Sequence, residues 1–229
     1  MKRMSVTGAF LILAICLIIT GCATKPYGHY KDDQMIGLVG SLNERDQIID
    51  FDISEWTKRD ERGPGMDDWG ASYEARVLPS TKIRNEAGEQ LQWADLKLGQ
   101  KVQINPSKTE EITDTPNELI LIPMSEEEIL GRMGLFAGGK GSYRTTIVYE
   151  KGVKQPYDAE YMEKEAPELF EGGLSFLEYN PNYVLDVKEA LDIDKLPMFL
   201  VFDTEKLVLK TNKLEEVIAF KSSVEEEAR

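Results

Sequence analysis

The sequence is poor in the two side chains that most often carry catalysis and metal binding. Its two cysteines, Cys16 and Cys22, lie within the first 22 residues, and its one histidine, His29, follows shortly after. Because the rest of the chain has neither side chain, it cannot form disulfides, a cysteine nucleophile, a Cys-x-x-Cys redox pair or zinc sites built from Cys or His. A Ser-His-Asp triad and a histidine general base are excluded as well. Carboxylate pairs remain open because there are 41 acidic residues, and no cofactor is predicted.

The first 22 residues have the organisation of an export signal. Lys2 and Arg3 precede an apolar run over Val6–Ile19. A transmembrane helix needs roughly 20 apolar residues, and this run is shorter. An ordinary secretory signal is the other alternative, but it does not require a cysteine after its cleavage site.

The segment closes on Ile19-Thr20-Gly21-Cys22, which resembles the lipobox of bacterial lipoproteins. The resemblance implies that a signal peptide, residues 1–21, is cleaved between Gly21 and Cys22, and that Cys22 carries the lipid, palmitate included. Several acyl chains together anchor a protein stably to a membrane. We therefore expect a lipid anchor on the extracytoplasmic face of the cell membrane. Residues 22–34 are predicted to be a lipidated tether that spans at most ~40 Å.

The mature chain is strongly acidic. Cleavage removes two of the 27 basic residues and none of the 41 acidic ones, which takes the net charge from −14 to −16. Such a surface is repelled by nucleic acid. We therefore predict no nucleic-acid partner, and take the charge mainly as a solvated surface.

The region 35–124 has the pattern of short strands joined by turns. Ile49, Phe51 and Ile53 alternate with polar residues, and Tyr73–Val77 has the same period of two. Leu91–Gly99 is typical of a short helix that ends at a glycine. Further strands are predicted at Lys101–Ile104 and Glu118–Ile122. This pattern predicts a small closed or partly open barrel.

Three segments of this region, Ile48–Asp50, Asp95–Val102 and Ile120–Ile122, resemble small OB-fold domains found in secreted lipoproteins of Gram-positive bacteria. The resemblance implies an OB-like barrel, a fold that often binds oligonucleotides or oligosaccharides on one face. Trp56 and Trp69 lie in the long segment 54–73. They are candidate ligand-binding residues for stacking on a sugar or docking a peptide. The alternative is that both tryptophans pack this loop onto the barrel.

Residues 125–142 are predicted to be a linker with a short helix. Ser125 is a candidate N-cap, followed by Glu126, Glu127 and Glu128 in the first turn. The segment 138–141 (Gly-Gly-Lys-Gly) lacks the spacing of a phosphate-binding loop and precedes a strand. It is taken as a flexible boundary.

The region 143–221 changes pattern to alternating strands and helices. A strand at 145–149 precedes a helical pattern over Asp158–Phe170, and a second strand at Leu174–Tyr179 precedes a helix at Val184–Leu191. Met198–Phe202 is typical of a buried strand. A strand at Lys206–Lys210 and an amphipathic helix to Phe220 follow, and residues 222–229 are predicted to be a polar, frayed tail. The predicted order is β-α-β-α-β-β-α.

That order, with Pro197 placed just before Met198–Phe202, resembles the thioredoxin fold. The resemblance implies that Pro197 is a cis-proline, beside which this fold often docks extended peptides, so Pro197 is a candidate ligand-binding residue. The Cys-x-x-Cys of the family corresponds to Gly152–Pro156, which has no cysteine. Thiol–disulfide exchange requires a thiolate, so oxidoreductase activity is not implied.

These observations predict an all-β domain followed by an α/β domain, an OB-like barrel and a thioredoxin-like module, on a membrane-anchored lipoprotein. We expect non-catalytic binding or adaptor work at the cell envelope, with an envelope protein or a wall polymer as partner. This expectation rests on analogy between folds. The alternatives are a glycosidase-like enzyme that uses carboxylates alone, and chaperone-like peptide binding by the second domain. No catalytic residue and no metal ligand is predicted.

Overall fold

The computed structural model describes residues 25–62, 69–105, 113–171 and 173–227. The predicted signal peptide, its cleavage site at Gly21 and the proposed lipid attachment at Cys22 lie outside these residues. Among the described residues, no helix has the length and apolar character needed to cross a membrane.

The protein is a mixed α/β structure with two sheets. Eleven strands are described: β1 (Met35–Asn43), β2 (Ile48–Asp52), β3 (Ser72–Arg76), β4 (Lys82–Asn85), β5 (Lys101–Asn105), β6 (Thr113–Asp114), β7 (Glu118–Ile122), β8 (Arg144–Glu150), β9 (Leu174–Tyr179), β10 (Met198–Phe202) and β11 (Leu207–Thr211). The described α-helices are α1 (Ser54–Thr57), α2 (Glu126–Arg132), α3 (Ala159–Glu165), α4 (Pro167–Glu171), α5 (Val187–Ala190) and α6 (Leu214–Glu227). Short 3-10 turns lie at Lys58–Asp60 and Trp93–Asp95.

The described residues divide into two compact units. The first unit lies within Met1–Ile83 and Val102–Ile120, and the second within Arg84–Lys101 and Leu121–Arg229. The sequence pattern placed one boundary near residue 125. Residues 84–101 group with the second unit because Leu98 makes two backbone hydrogen bonds there. Its N–H donates to the carbonyl of Asn182 (3.0 Å), and its carbonyl accepts from the N–H of Val184 (2.8 Å).

The first sheet has seven strands in the order β4-β7-β5-β1-β2-β3-β6. Antiparallel pairing of β2 with β3 places Phe51 opposite Tyr73 and Ile49 opposite Ala75. All four side chains are buried, which confirms the period-two prediction. Asp50 and Asp52, which alternate with them, are exposed.

The sequence predicts a closed or partly open barrel, and the described strands show no closed one. They run from β4 at one edge to β6 at the other, and no described pairing joins these edges. The partly open form stays a prediction.

The second sheet has four strands in the order β11-β10-β8-β9. β8 and β9 are parallel, whereas β10 is antiparallel to both β8 and β11. All five residues of the central strand β10 are buried. Met198, Leu200 and Phe202 pack with α2 and α5 in one apolar cluster, while Phe199 and Val201 pack with α3, α4 and α6 in the other. Helices therefore cover both faces, which explains why β10 is apolar throughout.

The second unit confirms the predicted order of strands and helices, with differences at helix ends. The helix expected over Asp158–Phe170 is broken into α3 and α4, because the residue before Pro167 cannot easily stay helical, and Ala166 has φ −148°. The helix expected at Leu91–Gly99 is only a 3-10 turn, and α6 extends through most of the predicted tail to Glu227.

Residues 125–142, predicted as a linker, contribute to the core of the second unit. The Ser125 hydroxyl accepts a hydrogen bond from the N–H of Glu128 (3.1 Å), which confirms the predicted N-cap. Leu130 and Leu135 are buried in the same apolar cluster as Phe202.

Candidate functional site

A small cleft lies on the second unit where the loop after β8 meets the residues that precede β10. It has a volume of about 40 Å³. Its walls are formed by the residues Tyr149, Glu150, Val153, Lys154, Gln155, Pro156, Leu196 and Pro197. Pro197, a ligand-binding candidate from the sequence, therefore lines this cleft.

Strand pairing determines where the cleft forms. The antiparallel register sets Met198 opposite Val148. The C-terminal end of β8 and the N-terminal end of β10 therefore lie side by side. The peptide bond between Leu196 and Pro197 is cis, as expected from the sequence. The loop and the proline therefore meet at the same place.

The loop from residue 151 to residue 158 is held at both ends. Gly152 has φ +72°, a conformation that residues with a Cβ rarely adopt, and it allows the turn after β8. At the other end, the Asp158 carboxylate caps α3 by accepting a hydrogen bond from the N–H of Tyr161 (2.9 Å). The Tyr157 ring packs on Phe199 with ring centroids 4.9 Å apart. The cleft is thus attached to the core of the unit.

Gln155 gives the cleft its most unusual chemistry. Its Oε1 is buried and accepts no hydrogen bond among the described residues. Leaving a buried polar atom without a partner costs about 1–3 kcal/mol. Val153 adds an apolar surface, since 56% of it is exposed. The cleft therefore combines a buried acceptor that has no partner among the described residues with an exposed apolar side chain.

The cleft contains one carboxylate, that of Glu150, and no thiol or imidazole. A glycosidase needs two carboxyl groups facing each other across a cleft. Among the described residues, no group of three or more His, Cys, Asp or Glu residues is arranged to hold a metal ion. The cleft thus has the groups for binding but lacks a pair of acids for hydrolysis.

The two tryptophans predicted as ligand contacts lie in the first unit, in different environments. Trp56 is only 3% exposed, its Nε1 donates to the carbonyl of Lys31 (2.8 Å), and the guanidinium of Arg59 lies 4.0 Å from its ring centroid. Trp69 is 40% exposed, with the Lys58 ammonium 5.1 Å from its ring centroid. The burial of Trp56 agrees with the packing alternative, and Trp69 alone presents a surface to solvent.

A larger cavity in the second unit was not expected from the sequence. Its volume is about 230 Å³, and its walls are mainly apolar, with Tyr143, Leu169, Val201, Val217 and Phe220 among them. The rings of Tyr143 and Phe220 meet edge to face at 5.2 Å. The sequence showed only ordinary strand and helix patterns here, because a gap between elements has no local signal.

A second buried polar atom without a partner lies in the first unit. The Tyr73 hydroxyl accepts and donates no hydrogen bond among the described residues. Burial and, to a lesser extent, the nearby Asp114 carboxylate together raise the pKa of Tyr73 to about 12. Tyr73 is therefore a neutral phenol buried in the sheet core rather than a reactive group.

Comparison with known proteins adds no relative. No family model matches the chain, and neither the curated proteins nor the solved structures give a significant match.

Proposed function

We propose that this protein is a membrane-anchored, extracytoplasmic lipoprotein that binds extended peptide segments without catalysis. The binding site is the cleft between the loop 151–158 and Pro197 in the second unit. The observation that carries the proposal is the Gln155 Oε1, which is buried without a partner among the described residues, in a cleft that Val153 and Pro197 also line.

The second unit is proposed to have a thioredoxin-like fold. This is supported by the sheet order β9-β8-β10-β11, with one parallel pair followed by two antiparallel pairs. Helices on both faces and the position of Pro197 directly before the central strand β10 support it too.

The first unit is proposed to be OB-like. Support comes from the central position of β1, which lies between β2 and β5, and from the run β3-β2-β1-β5-β7 within the sheet. β6, which pairs with β3 in parallel, is followed closely along the chain by β7. The chain just before β7 therefore lies beside β3, at the opposite end of this run of strands from β7.

An extended peptide suits the cleft for a chemical reason. A peptide presents a row of backbone N–H groups, each of which needs an acceptor once water is removed. The Gln155 side chain lines the cleft. Its Oε1 is buried, so the proposal requires the amide to turn towards the incoming donor when a peptide binds. The exposed Val153 side chain would contact an apolar side chain of the same peptide.

The peptide site is tested by screening the purified chain against a mixed-sequence library of short peptides and measuring affinity for those retained. Gln155→Met keeps the side-chain length but removes the acceptor. We expect about tenfold weaker binding for a lost hydrogen bond, with unchanged or higher thermal stability.

Val153→Ser is the second site variant, and Leu78→Ser is its matched control, because Leu78 is an apolar residue of the first unit with 41% exposure. Weaker binding by the first variant and wild-type binding by the second would support the proposal. Failure to retain any peptide, or equal affinity of the two serine variants, would contradict it.

The anchor is tested separately in cells. The wild-type chain should take up labelled palmitate and partition into the detergent phase, whereas Cys22→Ala should do neither. Labelling of the Cys22→Ala chain to the same extent as wild type would refute the anchor.

A further inference from the structure

The first ten described residues, 25–34, are attached to the first unit rather than extended away from it. We call these residues the N-terminal strap. At its beginning the Lys25 ammonium pairs with the Asp60 carboxylate at 2.6 Å. In its middle the Tyr30 hydroxyl donates to the Glu55 carboxylate at 2.7 Å. The hydrogen bond from Lys25, together with its charge, holds the pKa of Asp60 below its ordinary value, so the Asp60 carboxylate is ionised at neutral pH.

The second half of the strap is attached through Trp56 and Arg59. The Trp56 indole N–H donates to the backbone carbonyl of Lys31 (2.8 Å). Arg59 Nε donates to the Asp32 carboxylate (2.7 Å), and another guanidinium nitrogen donates to the Trp56 carbonyl (2.8 Å). Because β1 begins at Met35, the strap is attached along its whole length and then enters the sheet.

This attachment shortens the distance between the anchor and the folded protein. The following steps rest on the proposed lipidation of Cys22. Cys22 precedes Lys25 by three residues, so the two Cα atoms are at most ~11 Å apart. A free tether over residues 22–34 would reach ~40 Å. With the strap attached, the surface around Asp60 must lie close to the lipid headgroups.

That surface presents groups which suit a membrane interface. The 3-10 turn Lys58–Asp60 holds Lys25 through Asp60, and it places the Lys58 ammonium 5.1 Å from the centroid of the exposed Trp69 ring. Tryptophan is enriched at the membrane–water boundary, where its apolar ring and its N–H are both satisfied. Lysine extends its stem along apolar surface and keeps its charge among the headgroups.

Net charge does not decide this orientation. The strap and the segment 54–62 contain five cations and five acids, and Asp67 and Asp68, which precede Trp69 in the sequence, raise the acids to seven. The net charge of the region is therefore −2, and its contact with the membrane depends on the short distance to the anchor and on the Trp69 and Lys58 side chains.

We propose that the face of the first unit carrying Lys25, Lys58 and Trp69 lies on the membrane surface when Cys22 is lipidated. The occupant of this face is the lipid headgroup region, and Trp69 enters the boundary between headgroups and acyl chains. The strap sets the orientation of the first unit on the membrane.

The test uses the chain that begins at Cys22, released from a cleavable fusion. This chain has a single thiol, so a maleimide-bearing lipid attaches at Cys22 alone. The coupled protein is inserted into vesicles of phosphatidylcholine and phosphatidylglycerol whose acyl chains are brominated, which quench nearby tryptophan. We expect quenching of emission in the wild type and its loss in Trp69→Phe. Trp93→Phe, which changes a tryptophan of the second unit, should keep it. Absence of quenching, or equal quenching in Trp69→Phe, overturns the proposal.

The role of the strap is tested by Asp32→Asn combined with Asp60→Asn, which removes both ion pairs and leaves Trp56 in place. We expect quenching of Trp69 to fall, because the anchor gains reach once the strap detaches. Glu44→Gln combined with Glu86→Gln makes the same change of net charge at exposed sites elsewhere and should quench like wild type. Unchanged quenching in the strap variant would refute the orienting role of the strap.

The coupling is chemical, so this result does not depend on processing in the cell. A chain that fails to take up palmitate in cells but shows Trp69 quenching would refute the proposed anchor and keep the membrane-facing surface. Uptake of palmitate in cells without quenching of Trp69 in vesicles would support the anchor and refute the membrane-facing surface.

Discussion

The aromatic ring of Tyr183 lies directly against the backbone of Gly99. A Cβ added to Gly99 would clash with Cζ of Tyr183. Gly99 also has φ +72°. The segment that contains Gly99 therefore joins the second unit through an approach that only glycine permits.

Replacement of Gly99 by alanine should destabilise the protein strongly. The positive φ costs about 1–2 kcal/mol for a residue with a Cβ, and the clash with Tyr183 adds about 1–3 kcal/mol of overpacking. Chemical denaturation measures the sum. Gly88→Ala is the matched control, because Gly88 has φ +86° but no atom within 4 Å of an added Cβ. If both variants lose the same free energy of unfolding, the contact with Tyr183 has no energetic role.

Tyr73→Phe should raise the free energy of unfolding or leave it unchanged. The substitution removes a buried hydroxyl that has no hydrogen-bond partner among the described residues, and the relief is about 1 kcal/mol. Tyr30→Phe serves as the opposite case, because it removes a hydroxyl that is bonded to Glu55, and it should lower stability. A measured loss of stability in Tyr73→Phe would mean that this hydroxyl is satisfied in solution.

The Glu128 carboxylate should stabilise the second unit at neutral pH and lose this effect in acid. Burial acts to raise the pKa of Glu128, but hydrogen bonds and charges of Lys101 and Arg132 outweigh burial and lower it below its ordinary value. The nitrogen–oxygen distances to these partners are 2.8 and 3.0 Å. A carboxylate whose pKa is lowered on folding contributes stability above its unfolded pKa, and that contribution disappears as pH falls through the folded pKa.

Glu128→Gln should therefore unfold more easily than wild type at neutral pH, by about 1 kcal/mol for a partly exposed pair. Below the ordinary glutamate pKa of 4.5, the two curves should converge. Urea unfolding across the acidic range measures this. A difference that stays constant with pH would show that charge is not its cause.

Arg59→Lys should loosen the N-terminal strap. Lysine keeps the charge but cannot bond Asp32 and the Trp56 carbonyl at once while lying over the Trp56 ring. Limited trypsin digestion should then cleave after Lys31 faster than in wild type. Arg62→Lys, at an exposed position, should be cleaved at the wild-type rate. Equal rates for all three chains would exclude Arg59 as the residue that holds the strap.

Local patterns in the sequence predicted most of the strands and their faces. Alternation placed Ile49, Phe51 and Tyr73 in the core, and an unbroken apolar run identified β10 as a buried strand. These predictions succeed because the alternation of apolar and polar residues in a strand can be recognised from neighbouring positions alone. The break between α3 and α4 could also have been predicted, since Pro167 is in the sequence.

The candidate site was only partly predictable. The sequence singled out Pro197, because a proline just before a buried strand is a local signal. It did not single out Gln155, whose unpartnered oxygen results from the packing of a loop against the start of β10. The sequence left Trp56 between ligand contact and packing of its loop. Its burial agrees with packing, and the Lys31 carbonyl that its indole N–H contacts lies 25 positions earlier in the chain.

The sequence by itself determined the order of the elements, the absence of thiol and imidazole chemistry after His29, and the buried faces of the main strands. Only the tertiary structure decided that residues 84–101 join the second unit, that the strap lies on Trp56, and in which order the described strands of the first sheet pair. The physical reason is the range of the interactions. Periodicity, capping and composition act within a few residues, whereas contacts such as Gly99 with Tyr183 join residues far apart in the chain and leave no local pattern.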